Sequence, residues 1–126
     1  MFKIGDIVRF VEDDDEWKII GVGREGGDIA YMVIGLPYLV PGDKLKLVRP
    51  STIDQAFAVG DKVQYFAHGQ LYPHSETFTI TNVTLAYDTE HEKDVPMYDL
   101  YGECGTWLYN VEQQYLQRTQ ANYTLF

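Results

Sequence analysis

Residues 2–10 of this chain, FKIGDIVRF, recur as FAVGDKVQY at residues 57–65. Three further segments recur in the same order. WKIIGV at 17–22 matches FTITNV at 78–83, and YMVIG at 31–35 matches YDLYG at 98–102. VPGDKL at 40–45 matches VEQQYL at 111–116 in its first and last residues. Four matches in one order mark a tandem duplication, which constrains the fold before any propensity does. A chain of 126 residues then holds two very small units rather than one ordinary domain. The copies span 1–50 and 56–126, with a linker at 51–55 that follows Arg49-Pro50, where the strand pattern breaks. The offset between copies grows along the chain, so the second copy carries the longer loops.

Within each copy the apolar residues alternate as in half-buried strands. Phe2, Ile4, Val8 and Phe10 correspond to Phe57, Val59, Val63 and Tyr65. Trp17, Ile19 and Val22 correspond to Phe78, Ile80 and Val83, and Tyr31 and Val33 to Tyr98 and Leu100. Aromatic residues make up 14 % of the chain, which favours strands over helices. Gly5 and Gly60 fall where the chain must turn tightly. The Val-x4-Leu segment is too short for an α-helix and is expected to form a single 3-10 turn before the last strand. Bent strands of this length are expected to close into a barrel, which removes exposed edges.

The pattern φ-x-φ-G-D-x-V, a strand with an early aromatic, Y-x-φ-x-G and a closing φ-x4-φ turn resembles the SH3-like small β-barrel superfamily. That group includes bacterial and phage SH3-like domains, KOW domains and Tudor domains. The resemblance implies an all-β chain of two tandem five-stranded SH3-like barrels with short 3-10 turns. It also implies a binding module, although a fold does not by itself give a function.

The formal net charge of −9 weighs against direct contact with nucleic acid, which needs clustered Lys and Arg. Where a KOW domain carries a basic Gly-rich stretch, this chain has Asp13, Asp14 and Asp15. No apolar run approaches the roughly 18 residues that span a bilayer, and the N-terminus lacks the apolar core of a signal peptide. One cysteine, Cys104, forms no internal disulfide framework. These features point to a cytoplasmic protein with no membrane partner.

The run Glu12, Asp13, Asp14, Asp15, Glu16, followed by Trp17, occupies the loop between the first two strands of the barrel reading. SH3 domains carry acidic residues in that loop, so by resemblance the run presents a cation-binding edge to a basic peptide. Adjacent carboxylates repel and seek water, so a solvated turn is the simpler reading, and the run lacks the spacing of a calcium loop. Aromatic residues in excess of the core are Tyr38, Tyr72, Tyr101, Trp107 and Tyr109, types favoured in interfaces. Tyr101 and Trp107 are expected to pack between the barrels, and Tyr72, in an uncharged loop at 68–74, to face a ligand. His68, His74, His91 and Cys104 show no metal-ligand spacing, and no cofactor is implied. GVGREGG at 21–27 lacks a Gly-Lys-Ser/Thr ending and reads as a hairpin turn. Residues 89–94 read as a polar loop.

The reading that follows is a non-enzymatic adaptor that docks on a protein or basic peptide, of the kind found among phage or mobile-element accessory proteins. The alternative is an acidic inhibitor that mimics a nucleic acid and occupies the basic groove of a host enzyme. An enzyme would need a pocket uniting His74, Asp99 and Cys104. No sequence feature demands an oligomer.

Overall fold

A computed structural model describes the backbone of residues 1–67 and 70–119, and the side chains of 1–66 and 76–119. The first half contributes β1 (Ile7–Phe10), β2 (Glu16–Glu25), β3 (Asp28–Val33), β4 (Val40–Pro41) and β5 (Leu45–Arg49). The second contributes β6 (Lys62–Ala67), β7 (Gln70–Asp88), β8 (Lys93–Gly102), β9 (Trp107–Glu112) and β10 (Leu116–Arg118). A 3-10 turn precedes the last strand of each half, at Gly42–Lys44 and Gln113–Tyr115. The chain is all-β, and no helix among the described residues is long and apolar enough to cross a membrane.

The repeated Gly-Asp pair shows how sequence becomes local structure. Gly5 and Gly60 sit at φ of 85° and 96°, a conformation that side-chain-bearing residues avoid. Each donates its N–H across to the next strand, Gly5 to the Ile19 carbonyl at 2.7 Å and Gly60 to the Ile80 carbonyl at 2.8 Å. The aspartate that follows accepts the N–H three residues back, from Lys3 to Asp6 and from Ala58 to Asp61, both at 2.9 Å. The turn therefore needs both residue types, one for its dihedral and one for its orphan donor.

Ladders in the first half run in the order β5-β1-β2-β3-β4, and in the second β10-β6-β7-β8-β9. The closed barrels expected from the sequence are not formed: the sheet stays open. The reason lies in β2 and β7, which outrun their partners. Each covers the other's exposed edge through the pairs Gly21 with Thr84 and Val22 with Val83. One continuous ten-stranded sheet results, and the edge is satisfied by pairing between halves rather than by closure.

One row of directly paired residues crosses this junction: Val40, Tyr31, Val22, Val83, Tyr98, Val111. It reads the same from either end, and every member is buried. The flanking bulges also correspond, between Ile19 and Gly21 on one side and between Ile80 and Asn82 on the other. A Cβ at Gly23 would meet Asn82 Oδ1 at 2.5 Å, so a larger residue at the junction would displace that side chain. The buried residues form one cluster drawn from both halves, so the row is the waist of a single core. Packing around it also repeats: Phe2 meets Tyr31 edge-on at 5.2 Å, and Phe57 meets Tyr98 edge-on at 5.7 Å.

Residues 51–55 are tied down on both sides. Ser51 N–H donates to Asp6 Oδ1 at 2.6 Å, and Ile4 N–H donates to Gln55 Oε1 at 3.1 Å. Gln113 Oε1 accepts the Ala56 N–H at 2.8 Å and the Tyr98 hydroxyl at 2.5 Å. The loop expected at 68–74 is a further correction: from Gln70 the backbone belongs to β7, with Leu71 opposite Phe66 and Tyr72 opposite Tyr65. The extra length of the second half is therefore spent largely on a long strand, because paired backbone is satisfied there without water. GVGREGG ends β2 in a hairpin turn, with Gly26 and Gly27 at φ of 61° and 90°.

Candidate functional site

The hairpin joining β8 to β9 carries the clearest surface feature. Tyr101 lies directly opposite Trp107, and Tyr109 follows on the same face two residues along β9. The Tyr101 and Trp107 rings are 4.6 Å apart and tilted by 47°. Trp107 and Tyr109 stack with rings 6.0 Å apart and 4° from parallel. Tyr101, Trp107 and Tyr109 remain 41 %, 48 % and 64 % exposed. Their packing is thus on one another. The expectation that Tyr101 and Trp107 pack between the halves is corrected: both rings stay largely exposed, and the halves meet through the β2–β7 ladder.

A buried carboxylate holds this hairpin. Glu76 is 6 % exposed and its Oε1 accepts the N–H of Cys104 at 2.9 Å. Gly102 donates its N–H to the Thr106 carbonyl at 2.7 Å, and Gly105 turns the chain at φ of 89°. Gly102 lies against Glu76, where any Cβ would collide with the carboxylate. The aromatic trio is therefore mounted on a pinned turn, which keeps its rings in register. Neither Glu76 nor its link to Gly102 is visible in the sequence, because the two are far apart in the chain.

The strands that carry the trio are acidic in sequence. From residue 94 to residue 117 the chain contains Asp94, Asp99, Glu103 and Glu112 and no Lys or Arg. Asp99 is engaged by its neighbours, accepting from Asn82 Nδ2 at 3.2 Å and from the Asn110 N–H at 3.0 Å. Glu103 and Glu112 are exposed. Lys62, across the sheet, donates to Thr79 Oγ1 at 2.6 Å, and Thr79 is opposite Tyr101.

The other residues singled out from sequence are dispersed. Asp13, Asp14 and Asp15 are exposed on the turn between β1 and β2, where Asp15 N–H donates to Asp13 Oδ1 at 3.0 Å. Glu16 is held by Arg49 at 2.9 Å. Trp17 is half-buried, packs edge-on against Phe10 at 6.0 Å and lies at the margin of the core. Tyr38 is 58 % exposed on the first half. The side chains of Tyr72, His68 and His74 lie outside the described residues.

Cys104 is exposed, and its thiol is pushed up mainly by the Glu76 carboxylate beside it. That is the reverse of the electropositive setting which activates a nucleophilic cysteine. A cleft of about 490 Å³ opens where residues 52–54 face the start of β8 and the end of β9. Its lining includes Ile53, Asp54, Asp94, Pro96, Glu112 and Gln113. Asp94 there is paired with Lys18 at 3.3 Å. No group of His, Cys, Asp and Glu suited to a metal ion occurs among the described residues.

Comparison with known proteins adds no relative: no family model matches the chain, and no match was found among curated proteins or solved structures.

Proposed function

We propose that this chain is a non-enzymatic protein-interaction module of two duplicated SH3-like units, at 1–50 and 56–126, joined by residues 51–55. Its contact surface is the trio Tyr101, Trp107 and Tyr109, and its partner is a basic, proline-containing segment of another protein. The duplication is supported by the palindromic row through Val22 and Val83 and by the repeated Gly-Asp turns. The SH3-like reading is supported by the strand order of each half and by the 3-10 turn before each last strand.

The binding reading rests on one observation: three large aromatic side chains, stacked on one another and held out to solvent by a pinned turn. Large exposed rings cost hydration free energy unless a partner covers them, and Trp and Tyr dominate the energetics of interfaces. Flat rings set side by side suit the stiff faces of a polyproline helix, which loses little entropy on docking. An acidic hairpin with no cation of its own favours Lys or Arg beside those prolines.

The probe is a synthetic proline-rich peptide with arginine at each end, titrated into the isotope-labelled protein. The expected result is a shift of the Trp107 indole signal, with affinity falling at least about tenfold in Trp107→Ala, as at an interface hot spot. Unchanged affinity in that variant, or no shift at saturating peptide, overturns the assignment.

A further inference from the structure

The cleft beside residues 52–54 is built from features that the first half lacks. Residues 51–55 supply one wall, and hydrogen bonds to Asp6 and Ile4 hold it in place. Within that wall Ile53 N–H donates to Ser51 Oγ at 3.0 Å, and Ile53 is drawn partly against the core. The facing wall is the start of β8 with the end of β9 and the 3-10 turn after it. Gln113 ties the walls together: its Oε1 accepts the Ala56 N–H and the Tyr98 hydroxyl, and its Nε2 reaches Asp54 Oδ2 at 3.5 Å. Gly42 follows Val40 as Gln113 follows Val111, and it has no side chain to make such a bridge. A cleft of about 490 Å³ with walls already set is of the size that takes small molecules.

Its lining carries both signs of charge. Asp94 is already paired with Lys18. Asp54 and Glu112 have no cation partner among the described residues, and each meets a side-chain amide, Gln113 at 3.5 Å and Gln114 at 3.4 Å. Lys93 also lines the cleft and has no carboxylate partner among the described residues. Two negative groups and one positive group are thus left to be matched, beside the apolar side chains of Ile53, Val95 and Pro96. A molecule that complements this set carries two cations, one anion and an aliphatic stem. A lysine or arginine side chain of a protein brings one cation, and a diamine brings no anion.

We infer that this cleft binds a free basic amino acid of the arginine or lysine type. Its α-ammonium and side-chain cation pair with Asp54 and Glu112, its carboxylate pairs with Lys93, and its methylenes lie against Ile53 and Pro96. All three charged residues are exposed, so each pair is weak alone and recognition depends on meeting the three together. The site is separate from the aromatic trio, which occupies the other end of the paired β8 and β9.

The test titrates free L-arginine into the isotope-labelled chain and follows the Ile53 and Val95 methyl signals and the Gln113 side-chain amide. A saturable shift of these signals is expected. Agmatine, which lacks the carboxylate, should bind at least about threefold more weakly, and Nα-acetyl-arginine amide, which keeps only the side-chain cation, about tenfold more weakly. Lys93→Gln should weaken L-arginine about threefold without weakening agmatine, and Asp54→Asn with Glu112→Gln should abolish saturation by either. These positions are exposed, so the variants keep their fold. No saturable shift up to about 50 mM L-arginine overturns the site, since a few exposed pairs supply millimolar affinity. Equal binding of the blocked and free amino acid overturns the assigned ligand and makes the cleft a pocket for a protein's own side chain. An equal loss for L-arginine and agmatine in Lys93→Gln refutes the carboxylate contact.

Discussion

Gly102→Ala is the substitution that most directly tests how the aromatic hairpin is held. The added methyl would collide with the Glu76 carboxylate and lie 3.0 Å from Cε2 of Phe78, which is fully buried. Relief requires Glu76 to swing away, and the Cys104 N–H then loses its carboxylate partner. A hydrogen bond to a charged acceptor is worth about 1.5–3 kcal/mol, and overpacking a filled site costs about 1–3 kcal/mol. The expected loss is therefore about 3–5 kcal/mol, read from the urea midpoint at unchanged slope. Glu76→Ala alone is expected to cost about 1–3 kcal/mol by leaving the Cys104 donor bare. In the double variant the methyl enters space vacated by Glu76, so the two losses should fall short of adding by about 1–3 kcal/mol. Strict additivity would refute the claim that Gly102 exists to admit Glu76.

Two other outcomes follow from the same geometry. Burial raises the Tyr98 phenol to about 12, so the folded state holds this proton to higher pH than the unfolded chain does. Stability should then fall as pH rises from about 10 towards 12, by roughly 2–3 kcal/mol, and Tyr98→Phe should flatten that fall in denaturant titrations across the range. A variant with the same alkaline profile would show that another group is responsible. Replacing Asp13, Asp14 and Asp15 together by Asn should change stability by less than about 0.5 kcal/mol, because these side chains are solvated. The affinity for the proline-rich peptide should stay within about twofold at low and high salt. A large, salt-dependent loss would instead favour the reading in which that run is the edge that binds the basic peptide.

Much of the candidate site was legible in part. Tyr101, Trp107 and Tyr109 stood out as aromatic residues beyond the needs of the core, but their role depended on neighbours the sequence does not name. Strand alternation turns Tyr101 outward, yet alternation alone does not say whether another unit covers that face. Trp17, beside the acidic run, looked equally available and instead packs on Phe10. The difference is burial, which depends on what the fold brings over each position rather than on residue type. Glu76 gave no signal at all, since a lone carboxylate before Phe78 reads as an ordinary surface residue until Gly102 is brought against it.

By itself the sequence determined the strands of each half, the Gly-Asp turns and the 3-10 turns, because each depends on residues close together in the chain. Period-two burial and positive φ at glycine are local properties, and both halves obey them. Only the tertiary structure decided what the two halves do with their long second strands. Pairing Val22 with Val83 satisfies backbone groups that closure would otherwise have had to satisfy, so the two halves form one sheet with one core. That same contact relates the two halves by a local two-fold axis. It is a property of how the halves meet and is encoded in neither half alone.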